Sequence, residues 1–589
     1  MTTKTPHSVK LAKNAIKVLE SRYLRRDKYG NLIETPKQLF QRVAHAVAQA
    51  ELQWGTDKDA SCWERRFLDV MMDLRFLPNS PTLMNAGTPS GQLSACFVLP
   101  VYDHLADIFS ALRLAALIQQ HAGGTGFNFS HLRPKNDRLH RTQGTAAGPV
   151  SFMKIFNATT EYVKQGGKRR GANMGILGID HPDIEEFITC KRKEGNLRNF
   201  NISIGISDAF MAALEQDASW KLIHPNTQQV VKKIKARQLW DLVTESAWTS
   251  GDPGLIFLDT INTFNPTPDI GKIEATNPCG EVPLLSNESC NLGSINLSRF
   301  VDDHQGQTTL DWNGLAQTVN IAVRFLDNVI EINNYLSPEM RKIALGNRKI
   351  GLGVMGWAEA LSKLEIPYES NKAVHLAERL MKFIAENSWN ASKGLCKERG
   401  VFQNWEKSIY YPNSPVRNAT RTSIAPTGTI SIIADTSSSI EPFFALAYQR
   451  QHILQDETLE EINNSLIRYM QRHQIEPSVV TEHIQQTGTL SGLVSIPEKM
   501  KNIFKTALEI APLWHLRHQT AFQKYTDNAV SKTINLPKEA TREDVDFIYK
   551  TAWREGLKGI TIFRYHSRNS QVIQKGILSD VNGCKVCIE

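Results

Sequence analysis

The stretch Asn277-Pro278-Cys279-Gly280-Glu281, followed by a second cysteine in Ser289-Cys290-Asn291-Leu292, is the most informative part of this chain. An amide and a carboxylate flank Cys279 two positions away on either side, and residues i and i+2 project to the same side of an extended backbone. Cys279 would then lie at a bend, between a hydrogen-bond donor and a base. The alternative is a buried, inert cysteine beside a turn made by Pro278 and Gly280.

Cysteine usage helps to decide between these interpretations. Eight cysteines occur in 589 residues, at positions 62, 96, 190, 279, 290, 396, 584 and 587, too few for a disulfide scaffold. The N-terminal residues lack the apolar segment of a secretory signal, and no apolar run is long enough to span a bilayer. We therefore expect a cytoplasmic protein with no membrane partner, in which any disulfide is transient and catalytic.

The last two cysteines form a CxxC pair, Cys584-Lys585-Val586-Cys587, close to the C-terminus. Such a pair could be half of a zinc site, but the sequence shows no second CxxC or CxxH to complete it. A dithiol on a flexible tail, which exchanges disulfides with other thiols, is the better interpretation. We predict no metal site built from protein side chains.

Composition and charge favour an ordinary globular enzyme, since 41% of the residues are hydrophobic and 22% are charged. The net charge of +8 is modest and no nucleic-acid-binding motif accompanies it, so we expect no nucleic-acid polymer as partner. Basic runs occur at 168–170, 191–193 and 232–237. The first lies in a glycine-rich loop, which favours contact with phosphate, and the other two are interpreted as solvated faces.

Local patterns predict an α/β architecture preceded by helices. Thr35-Pro36-Lys37-Gln38 is a capping box with proline at the first helical position, and the apolar spacing at 105–112 indicates another helix. β-like runs alternate with helical stretches, which indicates mostly parallel strands. These runs are 201–204, 255–258, 429–433 and 559–563.

Three glycine-rich elements need an interpretation. Ala425–Ser431 combines small hydroxyl side chains with backbone amides at a turn, which suits a phosphate, although an ordinary loop has the same composition. Gln165–Gly175 is a basic loop that favours anions. Gly351–Gly356 matches the dinucleotide fingerprint GxGxxG, but no clear βαβ unit surrounds it, so we assign it a packing role.

Together these elements resemble the catalytic subunit of ribonucleotide reductase. The resemblance extends from about Asn14 to the CxxC pair, and its six motifs are Asn79–Gly87, Leu93–Phe97, Gln165–Gly175, Asn277–Glu281, Cys290–Asn296 and Pro426–Ser431. It implies a ten-stranded α/β barrel of two antiparallel, five-stranded parallel halves with a central finger loop. We divide the chain into a helical region at 1–70 without a recognisable ATP-cone, the barrel at 71–566, and a tail at 567–589.

The resemblance implies catalytic roles for five residues. A thiyl radical on Cys279 would remove the ribose 3′-hydrogen, with Glu281 as general base and Asn277 orienting the substrate hydroxyl. Cys96 would protonate the departing 2′-hydroxyl. Cys96 and Cys290 would then supply two electrons and close a disulfide.

Binding residues and partners follow from the same resemblance. Contacts to the ribonucleotide substrate fall on Ser80, Ala95, Thr427, Gly428, Thr429, Ile430 and Ser431. A specificity effector, either a deoxynucleotide or ATP, would contact Asp103, Arg133, Lys168 and Arg169. Cys584 and Cys587 would reopen the disulfide before a thioredoxin-type reductant recycles them. Because the family forms its effector site at a subunit interface, a homodimer is implied, with the helix near 104–121 as the candidate interface.

The radical source can be argued from two motifs. Class I catalytic subunits relay a radical through two adjacent tyrosines, and the matching stretch Gly559–Arg564 has none. The motif Asn79–Gly87 is similar to that of class II enzymes, so we expect adenosylcobalamin, whose cobalt the cofactor itself carries. A class I-like subunit fed by a partner is the alternative. A glycyl-radical enzyme would need a glycine-radical loop that 558–561 does not resemble, and a non-enzymatic nucleotide-binding regulator would not need Cys96, Cys279 and Cys290.

Overall fold

The computed structural model describes residues 10–138, 143–163, 171–304, 307–454, 457–565, 567 and 573–575. The α-helices are α1 Lys13–Arg22, α2 Pro36–Ala48, α3 Asp57–Met72, α4 Ser80–Asn85, α5 Leu105–Gln120, α6 Pro149–Tyr162, α7 Ile184–Thr189, α8 Asp208–Glu215, α9 Ala236–Ser250, α10 Leu258–Thr263, α11 Trp312–Ile332, α12 Pro338–Asn347, α13 Trp357–Lys363, α14 Asn371–Arg399, α15 Ile430–Ile433, α16 Asn464–Arg472, α17 Pro477–Thr487, α18 Glu498–Ile503, α19 Pro512–Gln523 and α20 Arg542–Arg554. Short 3-10 helices are Gln49–Gln53, Leu297–Phe300 and Trp405–Lys407. Within the described ranges, no helix has both the length and the apolar character to cross a membrane.

The strands alternate with these helices. They are β1 Phe76–Pro78, β2 Cys96–Pro100, β3 Gly124–Asn128, β4 Asn173–Gly178, β5 Phe200–Ile206, β6 Ser219–Ile223, β7 Val230–Lys235, β8 Gly254–Phe257, β9 Ala275–Thr276, β10 Pro283–Leu284, β11 Ser289–Asn296, β12 Val301–His304, β13 Gln307–Leu310, β14 Ile350–Met355, β15 Ala447–Leu454, β16 Glu457–Ile462, β17 Thr533–Leu536, β18 Gly559–Arg564 and β19 Ile573–Lys575.

The main sheet has ten strands and two antiparallel halves. In one half, β2, β3, β4, β5 and β8 pair in parallel in that order. In the other half, β11 pairs in parallel with β14, and β17 with β18. Parallel bridges Leu352–Thr422 and Ile424–Val530 connect these two pairs through the segment 422–424. The halves meet antiparallel where β11 pairs with β2 and β18 pairs with β8, so the predicted α/β barrel is confirmed.

The helical region begins as the sequence predicted. Thr35 and Gln38 form the capping box at the start of α2, with reciprocal hydrogen bonds of 2.8 and 3.3 Å. The apolar stripe of this helix is fully buried and packs against α11 and α3. The boundaries placed at residues 70 and 566 stay predictions.

A buried ion network joins this helical region to the barrel. Asp327 on α11 is fully buried and pairs with Arg348 (2.8 Å), Arg399 (2.9 Å) and Arg417 (3.5 Å). Arg399 also pairs with Glu51 of the helical region at 2.7 Å. Burial alone would raise the pKa of Asp327, but the three guanidinium groups outweigh it and hold that pKa below its usual range. Removing one partner would leave a buried charge uncompensated, so the network fixes the two regions against each other.

Two local predictions were wrong. The run 429–433 was predicted as a strand, but α15 forms there as one short helix. Because all four of its side chains are buried, a short apolar run of this kind has no period that separates helix from strand. Lys191 was assigned to a solvated face, yet its side chain is buried and pairs with Asp252 at 2.9 Å.

Candidate active site

The finger loop enters the barrel as a hairpin in which β9 pairs antiparallel with β10. Its tip turns at Asn277, whose main-chain carbonyl accepts a hydrogen bond from the Gly280 amide at 3.1 Å. The Asn277 side-chain Oδ1 accepts a second bond from the Val282 amide at 3.0 Å. Gly280 adopts a φ of +79°, which favours glycine. Cys279 therefore lies at a bend, as the sequence predicted.

Both halves of the barrel hold the finger. Asn201 on β5 donates its side-chain amide to the Pro278 carbonyl at 2.8 Å. From the opposite half, the Ser423 hydroxyl donates to the Glu281 carbonyl at 2.9 Å. These two bonds flank Cys279 in the sequence, so its position is fixed from both sides.

Glycines on β3 make room for the finger. A Cβ atom at Gly126 would lie only 1.8 Å from the Thr276 carbonyl oxygen, and one at Gly124 would lie 2.9 Å from the Pro278 ring. Main-chain atoms cannot yield to such an overlap, so a side chain at Gly126 would displace the finger. The close approach of the finger therefore explains why β3 has glycine at positions 124 and 126, which no local sequence pattern indicates.

The finger tip borders a cavity of about 300 Å³, which is at the small end of ligand sites. Its lining unites ten of the predicted residues, namely Ser80, Ala95, Cys96, Asn277, Cys279, Glu281, Thr427, Gly428, Thr429 and Ile430. Asn277 and Glu281 are buried, each 2% exposed, whereas Cys279 is accessible. An amide, a carboxylate and two thiols therefore surround one ligand-sized space.

The loop at 427–430 has a strained main chain. Thr427 has a φ of +53°, an unfavourable conformation for a β-branched residue, and its hydroxyl accepts a hydrogen bond from the Ser439 amide at 2.7 Å. A Cβ atom at Gly428 would meet nothing within 4 Å, so the main chain there is open to a ligand. Ser431 differs from the others, because it is fully buried and its hydroxyl contacts Ser438 at 3.1 Å. Ser431 therefore supports the loop from behind.

Cys96 and Cys290 are register partners in the antiparallel ladder between β2 and β11. Both are buried, at 3% and 1% exposure, and no disulfide joins them in this structure. Directly opposed residues of an antiparallel pair have Cβ atoms about 4.5–5.5 Å apart on the same face, close to the spacing of a disulfide. Small adjustments would therefore let the two thiols bond.

A buried ion pair lies beside Cys290. Lys349 Nζ is 2.7 Å from Glu288 Oε2, and both side chains are buried. The Cys290 thiol donates to the main-chain carbonyls of Asn291 at 3.4 Å and Lys349 at 3.6 Å. Burial raises the pKa of Cys290, Glu288 raises it further, and Lys349 opposes them. Cys290 is therefore a protonated thiol at neutral pH rather than a nucleophile.

The predicted effector residues form a surface pair beside α5. Arg133 Nε lies 2.8 Å from Asp103 Oδ2, and Asn226 also donates to that oxygen at 2.6 Å. α5 exposes Leu105 (62%) and Phe109 (50%), so the predicted interface helix presents apolar side chains to solvent. The other two predicted effector residues, Lys168 and Arg169, and the tail cysteines at 584 and 587 lie outside the described residues.

A second cavity of about 390 Å³ lies on the other side of the finger. Pro278, Cys279 and Pro426 border both cavities. The wall of the second includes β8 and β18, the strand where the class I tyrosine pair was sought. Cys279 is thus accessible from two separate spaces.

The sequence interpretation missed two polar residues on these walls. Asn79 is 7% exposed and caps α4 through its Oδ1, while its Nδ2 has no hydrogen-bond partner within the described residues. Its motif was recognised, but only Ser80 was selected from it. Gln519 of α19 lines the second cavity, and no sequence motif marks it.

Comparisons with known proteins agree with this geometry. Residues 9–91 match a family model described as the ribonucleotide reductase all-alpha domain, and residues 94–414 and 411–563 match the ribonucleotide reductase barrel domain. A vitamin B12-dependent ribonucleoside-diphosphate reductase of Thermoplasma acidophilum is 47% identical, over 96% of this chain and 81% of the relative. A Mycobacterium tuberculosis protein of the same description gives the same three values, 47%, 96% and 81%.

A solved structure shares the fold. The class Id ribonucleotide reductase alpha subunit of Actinobacillus ureae has a TM-score of 0.76 at 24% identity, and the match covers 94% of this chain and 97% of that one. The family models span both the helical region and the barrel, and the finger carries the residues that the resemblance required. The chain belongs to the ribonucleotide reductase family.

Proposed function

We propose that this chain is a class II, adenosylcobalamin-dependent ribonucleotide reductase that converts ribonucleoside diphosphates to 2′-deoxyribonucleotides for DNA synthesis. The observation that carries the proposal is the single cavity in which Cys279, Glu281, Asn277 and Cys96 meet the 427–430 loop. The names of the two 47% identical relatives support both the diphosphate substrate and the dependence on vitamin B12.

The cavity supports one orientation of the substrate. The open main chain at Gly428 and the small hydroxyls of Ser80 and Thr429 suit the phosphates. The finger then faces the ribose, with the Asn277 amide and the Glu281 carboxylate directed at its hydroxyl groups. The phosphates would therefore bind at the 427–430 loop, and the radical reaction would take place at the ribose beside the finger.

The reaction begins and ends at Cys279. As a thiyl radical it removes the 3′-hydrogen while Glu281 accepts the 3′-hydroxyl proton, and Cys96 protonates the 2′-hydroxyl, which leaves as water. Cys96 and Cys290 together supply two electrons and become a disulfide, and Cys279 returns its hydrogen atom to C3′. The balance is one ribonucleotide and two thiols giving one deoxyribonucleotide, one disulfide and one water.

Re-reduction uses the tail. Cys584 and Cys587 would exchange with the Cys96–Cys290 disulfide, and a thioredoxin-type donor would then reduce the tail. Because Cys96 and Cys290 are both buried, the segment that carries the attacking thiolate must be able to reach into the barrel.

The second cavity fits the nucleoside part of the cofactor. When bound, adenosylcobalamin would supply the radical that Cys279 needs through its weak cobalt–carbon bond. The cavity of about 390 Å³ suits a nucleoside rather than an entire corrinoid, and Cys279 forms part of its wall.

Gln519 also lines this cavity, and its Oε1 is buried without a hydrogen-bond partner among the described residues, which fits a site for a polar ligand. Gln519, Ser531 and Thr533 would hold the group.

Regulation and assembly are part of the same proposal. Asp103 and Arg133 would bind a deoxynucleotide or ATP as specificity effector, with Lys168 and Arg169 nearby in the sequence. The exposed apolar side chains Leu105 and Phe109 of α5 would be covered by a second copy of the chain in a homodimer.

The direct test is product formation by the purified chain with CDP or CTP, dithiothreitol and either adenosylcobalamin or hydroxocobalamin. We expect deoxycytidine diphosphate to form from CDP with adenosylcobalamin but not with hydroxocobalamin, because hydroxocobalamin lacks the weak cobalt–carbon bond. Product that needs an added radical-bearing subunit instead of the cobalamin would establish the class I-like alternative. No product under any of these conditions would contradict the proposed reaction.

A further inference from the structure

Gln519 lines the second cavity and carries a buried side-chain acceptor. The residue lies on α19 and is 2% exposed. Its Nε2 donates to the main-chain carbonyls of Gly559 at 3.0 Å and Val530 at 3.5 Å. These two bonds fix the orientation of the side-chain amide. Its Oε1 is left without a hydrogen-bond partner among the described residues.

A neighbouring glutamine provides a matched comparison. Gln523, one helical turn later, also donates its side-chain amide to two carbonyls, those of Thr526 and Asn528, each at 3.2 Å. It is comparably buried, at 8% exposure, but lines a different cavity. Among the buried amide oxygens without a hydrogen-bond partner in the described residues, that of Gln519 belongs to a residue that lines the second cavity, so a ligand bound there is the available source of a donor.

The chemistry of the proposed ligand limits which group can donate a hydrogen bond to Gln519. A deoxyadenosyl group has three donating sites, the 6-amino group of adenine and two ribose hydroxyls. Hydroxyl side chains of Ser203, Ser531 and Thr533 lie on the same wall and suit the ribose. Glutamine side chains recognise adenine in nucleic-acid complexes through its 6-amino group. Gln519 is the buried amide acceptor of this wall, and it faces no protein donor among the described residues.

We propose that Gln519 recognises the adenine base of the cofactor by accepting a hydrogen bond from its 6-amino group. This rests on the proposed cobalamin dependence and adds the residue that sets base specificity. A hypoxanthine base places a carbonyl oxygen at the same position, so acceptor would face acceptor. The cavity then discriminates against 6-oxopurine nucleosides before any radical forms.

The test measures dissociation constants of 5′-deoxyadenosine, 5′-deoxyinosine and 2′,5′-dideoxyadenosine for the full chain by calorimetry. Wild type should prefer 5′-deoxyadenosine over 5′-deoxyinosine by roughly tenfold, the size of one lost hydrogen bond. Gln519→Met should reduce this preference to about twofold or less. Gln523→Met is the matched control, since it removes a similarly bonded amide from the same helix, and it should keep the preference.

Each other outcome overturns the assignment. Equal affinity of wild type for the adenine and hypoxanthine nucleosides would do so without any variant, even if Gln519→Met fails to fold. A preference that persists in folded Gln519→Met would place base recognition elsewhere. If 2′,5′-dideoxyadenosine binds more weakly than 5′-deoxyadenosine to wild type but not to Gln519→Met, Gln519 contacts the ribose instead of the base. Failure of the proposed function looks different, because wild type would then bind none of the nucleosides and make no product with adenosylcobalamin.

Discussion

His131 Nε2 lies 2.8 Å from Glu274 Oε2, and this pair joins the segment that carries Arg133 to the strand that enters the finger loop. The hydrogen bond that His131 donates to the Glu274 carboxylate raises the pKa of His131, although burial opposes it. The same bond lowers the pKa of Glu274. A contact between the segment that leads to Arg133 and the segment that leads into the finger loop therefore depends on the protonation of a histidine.

The pair should weaken as the pH rises. Because the folded pKa of His131 is raised, its stabilisation is complete below its unfolded pKa of about 6.5 and is lost as the pH rises through the folded value. Both side chains are 40% exposed, so the contribution to the free energy of unfolding should be at most about 1 kcal/mol. An NMR titration of the His131 ring should give a midpoint above 6.5 that Glu274→Gln lowers. An identical midpoint in wild type and variant would contradict the coupling.

Cys279→Ser should abolish deoxyribonucleotide formation and leave substrate binding near wild type. Serine cannot form the corresponding oxygen radical under these conditions, so the 3′-hydrogen is never removed. Cys396→Ser is the matched control, because Cys396 lies on α14, away from both finger cavities, and should retain activity. Product formation and equilibrium dialysis with CDP are the two measurements. Appreciable turnover by Cys279→Ser would refute the thiyl assignment.

The ladder position of Cys96 and Cys290 predicts which thiols are oxidised. Reduced protein given substrate and cofactor but no reductant should stop after a few turnovers, with a Cys96–Cys290 disulfide visible by peptide mapping. Loss of the tail thiols by Cys584→Ser and Cys587→Ser should limit the reaction to about one product per chain, since nothing can reopen that bond. A disulfide through Cys62, Cys190 or Cys396 in place of this pair would be evidence against the scheme.

The variant that lacks both tail cysteines should also differ in activity between two reductants. With thioredoxin it should be inactive, because a protein cannot reach the buried Cys96–Cys290 pair. With dithiothreitol it should keep most of the wild-type rate, since a small dithiol can enter the barrel. Steady-state rates with each reductant provide the comparison. Equal losses with both would assign the tail a role other than electron transfer.

Local chemistry was predictable from the sequence, and long-range contacts were not. The capping box at Thr35 and the bend at Cys279 are set by neighbouring residues, and both were predicted. The barrel followed from the family resemblance, since parallel pairing of distant strands leaves no local signature. Gln519 reaches the second cavity from a helix 240 positions beyond Cys279, without any motif. Gly353 lies in a barrel strand where a Cβ atom would be 2.3 Å from the Ser423 carbonyl oxygen, which explains a glycine pattern that resembles a nucleotide fingerprint.

A buried network links α5, the candidate interface helix, to the start of β4. Gln119 at the end of α5 donates to the Asn173 side chain at 2.8 Å, and Asn173 donates to Thr160 of α6 at 2.8 Å. Asn173 begins β4, near the end of the predicted loop Gln165–Gly175, and residues 165–170 of that loop lie outside the described residues. An ordering influence from the effector side would reach β4 through these hydrogen bonds.

Arg133→Ala should therefore flatten the differences among substrates far more than it lowers the best rate. The substitution removes the charged partner of Asp103 and the expected contact with the effector, while the catalytic cavity keeps all of its residues. Coupling between two such sites is typically about 1–3 kcal/mol, or roughly 5–150-fold. The measurement is the rate with each of the four ribonucleotides, with and without each deoxynucleotide effector. Lys135→Ala, which removes a nearby cation paired with Glu186, is the control and should keep the wild-type pattern. If Arg133→Ala keeps it as well, the effector site lies elsewhere.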